Sequence, residues 1–281
     1  MQTLLNTPHE IIQQNILGAA AKAKTRILNI LVLGMMAGSF IAMGAQSSSL
    51  AVHNISNIGL ARTLAGCIFP VGLMMIVFVG GELFTGDCMM SMAWMQRKIH
   101  FADMLRTLVL VYVSNFVGAA LIAFLMAHSG QYDYSSGALG AYTIKVAYGK
   151  VHLSFANALV SGILCNILVC VAVLMAAAAK DIAGKVLAIF FPILAFVVSG
   201  FEHCVANMYY IPAGIFASKN AAYAAKALEL YNIDSTQLSS LNWGSFAISN
   251  LIPVTIGNII GGALLVGGAC FYLHGKALHE S

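Results

Sequence analysis

Charge is the scarcest property of this sequence. Lysine, arginine, aspartate and glutamate make up 9% of its 281 residues, where a soluble domain carries roughly 25%. So few charged side chains cannot furnish a water-facing shell, which excludes a soluble globular protein. No Gly/Ser/Pro-rich linker interrupts the chain, so it reads as one domain. The net charge of +4 is scattered over loops, without the basic face or interleaved aromatics that nucleic-acid binding requires. The six cysteines (67, 88, 165, 170, 204 and 270) form no Cys-x-x-Cys pair and all lie in apolar runs. They read as buried, inert thiols rather than as a disulfide framework or a zinc site. There is no His-Glu-x-x-His or other metal motif, and nothing calls for a cofactor.

Apolar residues, by contrast, make up 60% of the chain, and the mean hydropathy is +0.86. Uncharged runs at 27–51, 63–81, 107–127, 153–179, 186–217 (split by a charge) and 244–273 predict six spans of a lipid bilayer. The expected fold is an all-α membrane protein whose second and fifth helices are broken. In the fifth, Glu202 and His203 separate two apolar stretches, each too short to cross a bilayer alone. In the second, the sequence Glu82-Leu83-Phe84-Thr85-Gly86-Asp87 follows nineteen uncharged residues. Ionisable groups at that depth are costly and mark a pathway or a functional pair. Both spans also begin alike, with Phe69-Pro70 and Phe191-Pro192. Paired broken helices at matching positions point to a transport site.

Ser114-Asn115-Phe116-Val117-Gly118-Ala119-Ala120-Leu121 in the third span resembles Gly257-Asn258-Ile259-Ile260-Gly261-Gly262-Ala263-Leu264 in the sixth. Spans one to three therefore read as duplicated in spans four to six. Three is odd, so the copies run in opposite directions, giving an inverted 3+3 repeat that brings the two breaks together at the centre. The second copy carries an extra segment around 218–243. Before the spans, Thr7-Pro8-His9-Glu10 predicts a helix start. Ile12, Ile16, Ala19 and Ala23 then share one side, which predicts an amphipathic helix lying along a membrane surface. The chain thus divides into an N-terminal helix (1–26), a channel body (27–273) and a tail (274–281). With the N-terminus inside, the inner segments hold nine basic residues and the outer loops five, including Arg62, Lys145 and Lys150. The expected location is the cell inner (plasma) membrane, with both termini cytoplasmic.

The breaks limit the chemistry. Glu82 and Glu202 are expected to brace the loops by accepting N–H bonds, and Asn207 is grouped with them. A negative charge exposed in the lumen would oppose an anion, whereas half-helix N-termini at the midplane would favour one and opposing C-termini would not. Dipoles alone leave the sign open. His203 is the only histidine deep in a span. Desolvation disfavours its charged form and a nearby anion favours it, which makes it a switchable proton donor. Thr85, on the facing loop, is placed to orient the ring. Phe69, Leu73, Leu83, Phe84 and Phe196 flank the breaks and as a set would form apolar constrictions that strip water from a permeant.

Val79-Gly80-Gly81-Glu82-Leu83-Phe84-Thr85-Gly86 resembles the first signature of the formate–nitrite transporter family. Gly162-Ile163-Leu164-Cys165-Asn166-Ile167-Leu168-Val169-Cys170 resembles the second, and Gly200-Phe201-Glu202-His203 with Ala206-Asn207 completes the set. The resemblance covers all six spans. It implies an aquaporin-like fold, a homopentamer with one pore per protomer, and passage of formate, nitrite or hydrosulfide. On matching positions it implies constrictions at Phe69, Leu73 and Phe196, and a cytoplasmic gating loop of Leu83, Phe84 and Thr85. It also implies a central His203, with Lys150 and Asn166 as the basic and polar groups near it. Lys150 is expected to act from a distance by concentrating anions. The stretch 250–258 resembles the formate branch, while Gly86-Asp87-Cys88 leaves hydrosulfide open, with nitrite third. The main rival is an aquaporin-like channel for small neutral solutes, but no Asn-Pro-Ala motif is present. An enzyme using His203 and Cys204 as base and nucleophile is opposed by geometry, because adjacent residues on a helix do not face each other.

Overall fold

The computed structural model describes residues 5–275. The C-terminal tail expected at 274–281 lies, from residue 276 on, outside the described residues. Helix α1 (Pro8–Lys22) opens with the expected capping box: Thr7 Oγ1 accepts from Glu10 N at 3.3 Å and Glu10 Oε2 accepts from Thr7 N at 2.6 Å. Ile12, Ile16, Ala19 and Ala23 are buried, as their spacing requires, but lipid is not what covers them. They pack on Met89, Met90, Met92 and Val266 of the protein's own body. This corrects the membrane-surface expectation, because an apolar stripe specifies that a face is covered and not by what.

Six apolar helices long enough to cross a membrane follow. They are α2 (Ile27–Val52), α3 (Ile58–Val79), α6 (Phe101–Ala127), α8 (Phe155–Ala178), α9 (Ile182–Ser199) and α13 (Trp243–Gly275). Between α3 and α6, the half-helix α4 (Phe84–Asp87) runs through a tight turn at Cys88–Met90 into α5 (Ser91–Met95). Between α9 and α13 comes the second half-helix, α10 (Cys204–Ala217). The two predicted breaks are therefore real, at residues 80–83 and 200–203. Chain inside a bilayer must satisfy its backbone polar groups within protein, so such breaks survive only when other helices enclose them. Here α2 and α6 pack on each other, α8 packs on α13 and α9, and α10 packs against α6. The approach of α2 to α6 requires Gly38, where a Cβ would stand 2.1 Å from the Asn115 carbonyl oxygen. Helix α13 contains three π-helical stretches, Phe246–Leu251, Ile260–Val266 and Phe271–Gly275, and the first carries Asn250. Such turns occur often at functional sites.

Three further expectations need correction. The stretch between spans three and four is a helix, α7 (Ala138–Val151), where a plain loop was expected. Its Leu139, Thr143, Ile144 and Ala147 are buried against α10. The segment at 218–243 is also helical, as α11 (Ala221–Tyr231) and α12 (Ser235–Ser239). Of the six cysteines, Cys67 is exposed on α3 and Cys270 is half-buried on α13, while the other four are buried as expected. A helix side that faces lipid or a second subunit is as apolar as a core, so sequence alone does not separate them.

Candidate functional site

Both breaks are braced by asparagines in the same way. Asn115 of α6 donates through Nδ2 to the carbonyls of Gly34 and Glu82, each at 2.8 Å, and its Oδ1 accepts from Phe84 N at 3.0 Å. Asn258 of α13 donates to the carbonyls of Gly162 at 2.7 Å and Glu202 at 3.0 Å, and its Oδ1 accepts from Cys204 N at 2.9 Å. Each amide joins a carbonyl within a bend to the first N–H of the half-helix beyond it. The backbone of the bends is thus held by these two asparagines, while the N–H bonds expected at Glu202 come from the side chains of Asn207 and Asn250. Asn115 and Asn258 each stand fully buried in an uncharged span, and that cost is the sequence signal that marks them.

The glutamates are instead ion-paired. Glu82 meets Lys22 of α1, which also meets Asp87. Glu202 accepts from Lys150 of α7 at 2.7 Å and from Asn207 Nδ2 at 2.7 Å, and Asn250 Nδ2 stands 3.3 Å away. Asn250 also donates to the Lys150 carbonyl at 2.9 Å and accepts from Asn207 at 2.7 Å, so both amide orientations are determined by their partners. Lys150, expected as a free charge, is thus neutralised by Glu202 and lies over the Tyr210 ring at 5.3 Å. Glu202 thus has a cation of its own, whereas Glu82 and Asp87 share the single ammonium of Lys22.

His203 and Thr85 meet at the centre, with His203 Nε2 2.9 Å from Thr85 Oγ1. Both are buried. His203 is also the N-cap of α10, and its Nδ1 accepts from Ala206 N at 3.0 Å. A backbone N–H can only donate, so Nδ1 carries a lone pair and the neutral ring holds its proton on Nε2, directed at Thr85. Thr85 stands in the first turn of α4 and its carbonyl accepts from Asn166 at 3.1 Å, so Asn166 holds the Thr85 backbone in place. The N-termini of the two half-helices therefore converge on the His203–Thr85 pair, and helix N-termini carry partial positive charge. At the opposing C-terminus of α9, Arg62 Nη1 donates to the Val198 carbonyl at 3.2 Å and offsets the negative end there.

Cavities lie on both sides of this pair. The distal cavity, on the face away from α1, is about 410 Å³ and is lined by Phe69, Phe196, Lys150, Glu202, His203 and Asn207, among others. The Phe69 and Phe196 rings meet edge to face at 5.4 Å between centroids. The proximal cavity, about 550 Å³, lies between α1 and the first break and is lined by Gln14, Asn15, Lys22, Glu82 and Asp87, among others. Leu73, Leu83 and Phe84 line neither and are buried in the apolar core between them. The Phe84 ring packs on Tyr112 of α6 at 4.8 Å. Sequence reasoning passed over Asn250, Asp87 and the pairing of Lys22.

Six apolar helices enclosing two half-helices, whose N-termini meet at a buried polar pair between two cavities, define a membrane channel or transporter. A model of the Formate/nitrite transporter family matches residues 9–272. The chain is 37% identical to the formate channel BtFdhC of Bacillus thuringiensis, with 96% of each chain covered. It is 36% identical to the formate channel FocA of Haemophilus influenzae, covering 89% of this chain and 88% of that one. Among solved structures it superposes on a pentameric formate channel with formate bound, with a TM-score of 0.77 and 31% identity, over 88% of this chain and 97% of that chain. This chain belongs to the formate/nitrite transporter family.

Proposed function

We propose that this protein passes small monovalent anions of weak acids across the cell inner (plasma) membrane, with formate as the first candidate and hydrosulfide and nitrite as further ones. The convergence of two half-helix N-termini on the His203–Thr85 pair carries this reading, because it sets partial positive charge where a dehydrated anion must pass. The ion pair of Glu202 with Lys150 supports it by offsetting the negative charge that would oppose an anion at the distal cavity. Relatives that bear the name formate channel support the choice of formate. Assembly as a homopentamer is supported by the pentameric neighbour. It is also supported by a stripe of exposed Leu105, Val109, Val113, Val117 and Leu121 on α6, suited to lipid or a second subunit. The excess of basic residues in the segments that include α1 supports a cytoplasmic position for both termini. The matching brackets of Asn115 and Asn258 support an inverted repeat.

In this reading the anion leaves the distal cavity, sheds water between Phe69 and Phe196, and meets the Nε2 proton of His203. For this the ring must first hold two protons, as the imidazolium; handing the one on Nε2 to the anion then yields a neutral acid that crosses the apolar segment at low cost and leaves the neutral ring, to which water returns a proton. A second reading keeps His203 as a fixed donor to an anion that stays charged throughout. The bond from Ala206 N to Nδ1 favours it, because a doubly protonated ring would set two donors against each other. His203→Asn separates the two, since asparagine preserves the N-cap acceptor but carries no transferable proton. In reconstituted vesicles the relay predicts that an inward proton gradient drives formate accumulation in the wild type and not in the variant. Accumulation of the variant to the wild-type level would overturn the relay.

A further inference from the structure

The expectation that Lys150 collects anions is left without a free charge to carry it, because Glu202 holds its ammonium at 2.7 Å. Two other cations stand nearer the distal opening. A further cavity of about 510 Å³, lined by His53, Asn54 and Tyr231 among others, adjoins the distal one. Val52, Arg62, Tyr142 and Lys145 line both. Among the described residues, the charged ones lining the two are Arg62, Lys145, Lys150 and Glu202, and the one carboxylate of these is committed to Lys150. Arg62 has one guanidinium N–H on the Val198 carbonyl and the rest of its donor fork remaining. Its Nη1 lies against the bend at Gly200, where a Cβ would come within 2.6 Å and where φ is +70°. Only a glycine lets the guanidinium sit on the bend that leads through Phe201 and Glu202 to His203. The Lys145 ammonium stands 4.6 Å from the Tyr231 ring centroid and 5.7 Å from that of Tyr142. Ring faces hold a cation in place without cancelling its charge.

We propose that Arg62 and Lys145 form an anion-collecting site at the distal opening, ahead of the Phe69–Phe196 constriction, and that Tyr231, from the extra segment at 218–243, completes it by holding Lys145. The ligand class is a small monovalent anion, so the inference rests on the anion-conducting reading and adds where the anion is first captured. Uncompensated charge of one sign on low-dielectric walls raises the local concentration of the opposite ion, and salt screens the effect. The site therefore acts on apparent affinity at low ionic strength and leaves the maximal rate to the constriction and His203. It also gives a use to the helical segment that lengthens the second half of the chain. Tyr231 ends α11, and Leu230 and Tyr231 both face the shared cavity.

The test is initial formate uptake against concentration, using the full-length protein in phosphatidylcholine vesicles at about 0.01 M and about 0.15 M ionic strength. The screening length falls from roughly 30 Å to roughly 8 Å between these conditions. Lys145→Gln is expected to raise the apparent KM about two- to fourfold at the lower ionic strength, the effect of one charge about 10 Å away through a largely aqueous path. The effect should shrink to under about twofold at the higher ionic strength, and the maximal rate should be unchanged. Lys145→Arg should behave as wild type. Tyr231→Leu should reproduce the salt-dependent loss, while Tyr231→Phe, which keeps the ring face, should not. Wild-type uptake with an unchanged Lys145→Gln, or with a loss equal at both ionic strengths, overturns the collecting site alone. A wild type that passes no formate, nitrite or hydrosulfide overturns the anion-conducting reading and this inference with it.

Discussion

Replacing Asn258 by alanine tests whether the breaks are held open by single side chains. The change removes the acceptor of Cys204 N and the donor to the Glu202 carbonyl. Gly162, its third partner, lies within α8, and its carbonyl keeps a helical bond. Two buried backbone groups at the second break are then unpaired. Each costs about 1–3 kcal/mol, giving roughly 2–6 kcal/mol in all, with the low end applying if water enters. At about 2–4 °C of Tm per kcal/mol, the purified protein should melt at least about 4 °C lower. Asn115→Ala unpairs the corresponding groups, Phe84 N and the Glu82 carbonyl. Its cost should match that of Asn258→Ala to within about 1 kcal/mol if the two halves are equivalent. Asn258→Asp keeps an acceptor for Cys204 N but donates nothing and buries a charge, so it should be no better than alanine. The assay is thermal unfolding in detergent beside formate flux in vesicles. Melting within about 1 °C of wild type for either alanine variant would refute the reasoning, since that corresponds to well under 1 kcal/mol.

Opening the ring pair by Phe69→Ala or Phe196→Ala should raise acetate flux roughly tenfold more than formate flux, the discrimination a pocket exerts over one extra methyl group. An equal change for both anions would mean that the rings only pack. Bonds from the Thr7 backbone N–H and hydroxyl hold the Glu10 carboxyl below the usual glutamate range. They favour the charged form, so the capping of α1 is fully present above the ordinary glutamate range and is lost as pH falls through the depressed value. Amide exchange in the first turn of α1 should therefore accelerate on acidification. Glu10→Gln, which keeps a capping box but does not titrate, should remove the dependence, and a pH-independent wild type would contradict it.

How much of this molecule is local follows from where each feature is encoded. The six spans, the two breaks and the start of α1 are properties of neighbouring residues. A bilayer demands some twenty consecutive apolar side chains, and the Thr7–Glu10 box closes within one turn. His203 and Thr85 were legible for the same reason, as polar groups stranded in apolar sequence. The ion pairs were not. Lys22 reaches Asp87 across 65 positions and Lys150 reaches Glu202 across 52, and no local pattern says which distant charge neutralises which. Burial was ambiguous too: the stripe of Ile12 and Ile16 requires a cover, yet protein and lipid are equally apolar covers, and only docking on Met89 and Met90 chose between them. Helix α7 lies outside the hydropathy signal because its buried face, with Leu139, Ile144 and Ala147, exists only once α10 is beside it. Hydrophobic pattern thus determined what must leave water. Tertiary packing decided which charges neutralise one another and which cations lining the distal cavity, Arg62 and Lys145, stand without a carboxylate among the described residues, because side chains far apart in sequence find their partners only once the chain has folded.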